Sequence, residues 1–137
     1  SKSLVAENKL NKLIDEVKKK YNLSANEIII GGFSQGCMIS LQTAIKRKDS
    51  INSVIGYSGR IISTEHLSKN LISRPNVILM HGDLDQVVPV ESLLEAKEFF
   101  AKNSYPIETK IFKNCEHRIP TEGSSLGLQF IKKHFKQ

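Results

Sequence analysis

The stretch Ile28-Ile29-Ile30-Gly31-Gly32-Phe33-Ser34-Gln35-Gly36-Cys37-Met38 decides how the chain is read. The isoleucines read as a buried strand, the glycines as a turn, and the run Met38 to Ile45 as a buried helix. At the centre, Gly32-x-Ser34-x-Gly36 has the form of a nucleophile elbow, a sharp strand-to-helix turn that lifts a serine hydroxyl clear of its own backbone. That turn brings the residues two before and two after the serine close together. Small side chains are therefore expected at both Gly32 and Gly36, and glycine also tolerates strained dihedrals. The new helix points its N-terminus at the site, which leaves the Gln35 N–H free to meet developing negative charge. The competing reading is an ordinary glycine-rich turn of the kind that cradles a phosphate, and the rest of the chain has to decide.

Before the elbow, Leu4 to Tyr21 carries Leu10, Leu13, Ile14, Val17 and Tyr21 at helical spacing, with lysines opposite. Ser24-x-x-Glu27 resembles a capping box, but the isoleucines follow at once. It reads as a polar turn into a strand over about 27–31. The elbow helix runs to about Lys48, and Ser53 to Ser58 is the next short strand. Thr64 to Leu71 reads as a short helix. Pro75 opens a strand over Asn76 to His81, apolar enough to be covered on both faces. The acidic loop His81-Gly82-Asp83-Leu84-Asp85-Gln86-Val87-Val88-Pro89 leads into a helix over Val90 to Lys102, with Leu93, Leu94, Ala96, Phe99 and Phe100 toward its buried side. The alternating segment Ile107 to Phe112 suggests a strand nearer the sheet edge. The last helix, about Glu122 to Phe135, buries Leu126, Leu128, Phe130, Ile131 and Phe135 in part. Strand and helix thus alternate four times, which implies a single α/β domain over 1–137, with about four parallel strands and helices on both faces.

In such sheets ligands bind beyond the carboxyl ends of the strands. Ser34, the Asp83/Asp85 pair and His117 each follow a strand end, so all project to one rim. A serine hydroxyl needs a base to take its proton, histidine suits that role, and the histidine needs an anion to orient it. Serine, acid, histidine is also the chain order of α/β-hydrolases. The residues alone leave Asp83 and Asp85 both open as the acid. His81 belongs to the strand end and is expected to bond within its own loop, while His66 and His134 read as surface residues. His117 stands in the loop after the last strand.

The run Gly31-Gly32-Phe33-Ser34-Gln35-Gly36 resembles the signature of the phospholipase/carboxylesterase family, the group that includes acyl-protein thioesterases. His81-Gly82-x-x-Asp85-x-x-Val88-Pro89 is similar to that family's acid loop, and Tyr57-Ser58-Gly59 to its strand after the elbow helix. The resemblance implies an α/β-hydrolase fold, hydrolysis of carboxylic esters or thioesters, no metal and no cofactor. It implies a Ser-Asp-His triad of Ser34, Asp85 and His117, and so selects Asp85 over Asp83. Two departures stand out. The family places a glycine before its histidine, where this chain has Glu116. The resemblance also spans roughly the C-terminal two-thirds of the family, without the N-terminal strands and the His-Gly loop that supplies a second oxyanion donor. The elbow strand would then lie at an edge, which invites pairing with another chain. A homodimer or an exchanged segment is expected to cover it, using the helix from Leu4 to Tyr21.

Composition bounds the alternatives. The chain has 137 residues, 39% hydrophobic and 25% charged, with a net charge of +6 from dispersed lysines. No basic block is interleaved with aromatics, so nucleic acid is not expected as a partner. No apolar run approaches a membrane span, and the charged N-terminus lacks a signal-peptide core. Cys37 and Cys115 form no metal spacing and no disulfide framework, which points to the reducing cytoplasm. The chain opens on Ser1 and almost at once on a helix, which leads us to expect sequence upstream. Neither a P-loop lysine nor G-x-G-x-x-G supports a nucleotide-binding domain. The expected partner is a small ester, thioester or lysophospholipid substrate; the alternative is a hydrolase fragment that serves as a non-enzymatic binding module.

Overall fold

In the computed structural model, which describes residues 2–135, four strands form one parallel sheet in the order β1-β2-β3-β4. Helix α1 (Lys2–Tyr21) leads through a 3₁₀ turn (Ala25–Glu27) into β1 (Ile29–Phe33) and α2 (Gln35–Lys46). Then follow β2 (Ser53–Tyr57), α3 (Thr64–Lys69), β3 (Asn76–Gly82), α4 (Glu91–Lys102), β4 (Glu108–Phe112) and α5 (Thr121–His134). Strand β1 begins at Ile29, two residues later than the expected Glu27. The Ser24 box closes a turn first: the Ser24 N–H donates to Glu27 Oε1 at 3.1 Å and the Ile28 N–H to the Ala25 carbonyl at 3.0 Å.

Side chains alternate across the sheet and sort into two cores. Val54, Val77 and Leu79 face α2 and α4, together with Leu41, Ile45, Phe99 and Phe100. Ile55, Ile78 and Met80 face α5, together with Phe112 and Phe130. Strand β3 is buried on both faces, which accounts for its unbroken apolar run. A fully buried residue such as Phe100 or Leu41 contributes about 2 kcal/mol of hydrophobic stabilisation.

Three helix faces differ from the sequence reading. On α1, Ile14 is buried, but Leu13 and Tyr21 are exposed. Polar groups make much of the α1–α2 contact instead. Glu7 is buried against Lys46, and the buried Arg47 donates to Asn11 Oδ1 at 2.9 Å and Asp15 Oδ1 at 2.8 Å. On α4, Leu94 points to solvent. On α5, Leu128 is exposed and Gly123 and Gly127 face inward, because Tyr57 presses on them and donates its hydroxyl to the Gly123 carbonyl at 2.7 Å. His134 is half-buried rather than a surface residue: its ring lies 4.4 Å from that of Phe130.

The register brings the carboxyl ends together. Phe33 pairs with Tyr57, Tyr57 with Met80, and Gly82 with Phe112. The loops that follow β1, β3 and β4 therefore share one rim. Strand β1 pairs with β2 on one side only; among the described residues, no strand lies on its other side. Among the described residues, no helix is long and apolar enough to cross a membrane.

Candidate active site

Ser34 sits between β1 and α2 with φ 57° and ψ −118°. For a residue with a Cβ this region costs about 1–3 kcal/mol. Backbone bonds on both sides hold it there. The Ser34 N–H donates to the Tyr57 carbonyl at 2.8 Å, and the Ser34 carbonyl accepts from Cys37 at 3.0 Å and Met38 at 3.2 Å. A Cβ on Gly32 would collide with the Gly36 carbonyl, so glycine is required at 32. The expectation for Gly36 is corrected: a Cβ there would meet nothing within 4 Å among the described residues. The close approach is one-sided, because the Gly32 Cα faces the first turn of α2 while the outward direction at Gly36 opens away from it. The Gln35 N–H, in that first turn, has no hydrogen-bond partner among the described residues.

Beneath the elbow lies Cys37, with Gly56 and Gly59 packed against its sulfur. Burial pushes its thiol up to about 12, against opposing hydrogen bonds from Gly59 and Tyr57, so it packs as a small apolar group.

Asp85 is buried, and the structure places it rather than Asp83 against His117. Asp85 Oδ1 accepts from the Val87 and Val88 N–H groups at 2.9 and 2.8 Å, and Oδ2 lies 2.7 Å from His117 Nδ1. Burial works to raise this carboxyl; hydrogen bonds from His117, Val88 and Val87, with the His117 charge, outweigh it and hold the group below the usual aspartate value. Asp83 is exposed and has a different task. Its Oδ1 accepts from the Cys115 N–H at 3.3 Å, its own N–H donates to the Phe112 carbonyl at 3.0 Å, and the Leu84 N–H donates to the Cys115 carbonyl at 2.8 Å. These bonds dock the histidine loop onto the acid loop. Gly82 permits the docking, since a Cβ there would collide with the Cys115 and Glu116 carbonyls.

His117 completes the chain, with Nε2 3.1 Å from Ser34 Oγ. Its ring also rests against Phe33, centroid to centroid 4.7 Å at 48°. Ser34, Asp85 and His117, separated by up to 83 positions, thus meet in one hydrogen-bonded line. His81 bonds within its loop as expected, with Nε2 2.7 Å from the Val88 carbonyl oxygen. A groove of about 730 Å³ runs beside His117, with the exposed Leu84 and Val87 on its wall. Sequence reasoning assigned no part to Phe33. Its position directly before the serine, at the strand's last residue, was the signal available.

Residues 3–136 match the family model described as Phospholipase/Carboxylesterase. The chain belongs to this family. A curated relative, acyl-protein thioesterase 1 of Saccharomyces cerevisiae, is 33% identical over 136 residues, which cover 92% of this chain and 59% of the relative. The chain therefore spans about three-fifths of that relative's length. Among solved structures, esterase PE8 superposes with a TM-score of 0.92 at 28% identity, covering 96% of this chain and 61% of the other. Arabidopsis thaliana SOBER1 shares the fold at a TM-score of 0.90 and 20% identity, covering 98% and 65%. Glu116 stands where the family resemblance leads us to expect a glycine. Its side chain is turned outward, with Oε1 3.7 Å from Arg118 Nε, and His117 keeps its contacts to Ser34 and Asp85.

Proposed function

We propose that this chain is a serine hydrolase of carboxylic esters or thioesters, acting through a triad of Ser34, His117 and Asp85 and an acyl-enzyme. One observation carries the reading: Ser34 Oγ lies 3.1 Å from His117 Nε2, while His117 Nδ1 lies 2.7 Å from a buried carboxylate. Ser34 Oγ attacks the carbonyl carbon and His117 Nε2 takes its proton. Asp85 stabilises the imidazolium and keeps Nε2 aimed at the serine. The Gln35 N–H donates to the oxyanion. Collapse of the tetrahedral intermediate expels the alcohol or thiol, which takes the proton from His117. Water, activated by the same histidine, then releases the acid and frees Ser34. Every proton in the sequence moves through His117, so no metal or cofactor is needed. The thioesterase relative favours an acyl thioester, and a lysophospholipid is a further ester within reach of the same chemistry. Two buried free cysteines fit a reducing cytoplasm.

The test is intact-mass spectrometry after treatment with a fluorophosphonate, with Ser34→Ala as control. We expect one adduct, absent from the variant. Folded protein without an adduct overturns the reading. It would favour the second one, a non-catalytic binding module, for which the edge of β1, uncovered among the described residues, speaks. Loss of one oxyanion donor lowers the rate about 10²–10³-fold, which slows a hydrolase without abolishing its triad.

A further inference from the structure

We propose that His81 is a positioning residue for this reaction: from the end of β3 it fastens the Asp85–Val88 turn and so holds the carboxylate against His117. The inference rests on the triad reading above and concerns a group the mechanism does not otherwise use. The His81 side chain is 1% exposed. Its Nε2 lies 2.7 Å from the Val88 carbonyl oxygen. A carbonyl only accepts, so Nε2 carries a proton and donates it there.

That one bond closes a ring of three. The Val88 N–H donates to Asp85 Oδ1 at 2.8 Å, and the Val87 N–H joins it at 2.9 Å. The residue that supplies an amide to the carboxylate is therefore tied through its own carbonyl to the sheet. Without His81 the Val87–Val88 backbone would lose this tie, leaving the turn held by the carboxylate it is meant to orient and by the Asp85 N–H on the Gly82 carbonyl at 3.3 Å. The same Nε2 lies 3.4 Å from Asp85 Oδ2, the oxygen that holds His117 Nδ1 at 2.7 Å. The longer contact leaves His117 the primary partner of that oxygen, while the His81 Nε2–H is engaged by the Val88 carbonyl. His81 also lines a small, mostly apolar pocket with Cys37, Leu41, Leu79, Leu93 and Ala96.

The other titratable groups nearby do not offer a substitute. Arg60, Asp83, Glu91, Glu116 and Arg118 are solvent-exposed, and the buried Cys115 thiol has its contacts with the Glu116 and Arg118 carbonyls. His81 touches neither Ser34 nor the groove, so it acts through Asp85 alone. Its loss is expected to lower the chemical step and leave substrate affinity unchanged.

The test begins with unaltered protein, labelled with ¹⁵N at histidine. The nitrogen and proton spectra should show His81 as the Nε2–H tautomer and a far-downfield, slowly exchanging His117 Nδ1–H. An Nδ1–H tautomer at His81 overturns the proposal. Variants follow. His81→Gln keeps a donor amide at about the reach of Nε2; His81→Met and His81→Leu do not. In folded Met or Leu protein the His117 Nδ1–H resonance should move upfield or be lost to exchange, and fluorophosphonate labelling should slow about tenfold. The Gln protein should keep both within about threefold of the parent rate. A donor-less variant that folds with both signals intact, or a folded Gln variant as impaired as Met, sinks the proposal. If neither donor-less variant folds, the tautomer and the Gln variant decide. Unlabelled parent protein would sink the hydrolase reading yet leave the tautomer and the His117 resonance measurable, so the two failures are told apart.

Discussion

On the β2 side of Ser34 nearly every group is tied to another. The serine N–H meets Tyr57, its hydroxyl meets His117, His117 meets Asp85, and Asp85 meets two backbone amides that His81 fastens to β3. On the other side β1 runs bare. Gly31 and Phe33 are exposed, Ile29, Ile30 and Gly32 are half-buried, the Gln35 N–H has no partner, and the outward direction at Gly36 is open among the described residues. The difference separates two halves of acyl-transfer chemistry. In the proposed reaction, moving the proton needs residues that follow β1, β3 and β4, which this chain docks together. Holding the oxyanion and covering the nucleophile's strand draw on the other side, where the described residues offer the Gln35 N–H and an open edge.

The largest effect should come from the built side. Asp85→Asn should slow fluorophosphonate labelling about 10³-fold at neutral pH, because the imidazolium loses its anion. Asp83→Asn, two positions away, keeps an acceptor for the Cys115 N–H and should change the rate less than about threefold. Equal losses would break the distinction between the two acids. The same pair tests linkage. The Asp85 carboxyl is held below its unfolded value, so its stabilisation is complete above about pH 4 and disappears as pH falls through the lower folded value. The melting-temperature gap between parent and Asp85→Asn should therefore be widest near neutrality and close on acidification.

Next in size is a glycine comparison across the serine. Gly82→Ala drives a Cβ into the Cys115 and Glu116 carbonyls and should cost about 3 kcal/mol, read by chemical denaturation. Gly36→Ala meets open space at the start of α2 and should be neutral or stabilising by up to about 1 kcal/mol. A large loss at Gly36 would mean that something outside the described residues packs there. The smallest signal is association. We propose that a second copy or an exchanged segment pairs with the free edge of β1, and light scattering at high concentration should show a dimer. A monomer there would leave the edge open in solution.

The alternation of strands and helices was legible because side-chain period and turn residues are local properties. Ser34 and His117 were legible because each follows a strand end, and parallel strands send their carboxyl ends to one rim. The choice between Asp83 and Asp85 was not legible from the residues alone. It depends on how the turn after Gly82 folds, with the Asp85 N–H donating to the Gly82 carbonyl at 3.3 Å and its carboxylate turned onto Val87 and Val88. Only the family resemblance singled out Asp85. The outward turn of Leu13 and the burial of Glu7 and Arg47 were missed for a related reason. Their partners lie about 30–40 positions away, and an amphipathic stripe counts hydrophobicity without knowing which charges will be neutralised.

By itself the sequence determined the element order, the parallel sheet and the three positions at its rim, because these follow from periodicity and chain direction. Tertiary structure decided how Asp85 rather than Asp83 is turned onto His117, that Gly82 is sterically required, that a Cβ at Gly36 meets nothing among the described residues, and that His81 and Phe33 flank the site. Those outcomes depend on distances between segments far apart in the chain, which are set only when the strands come into register.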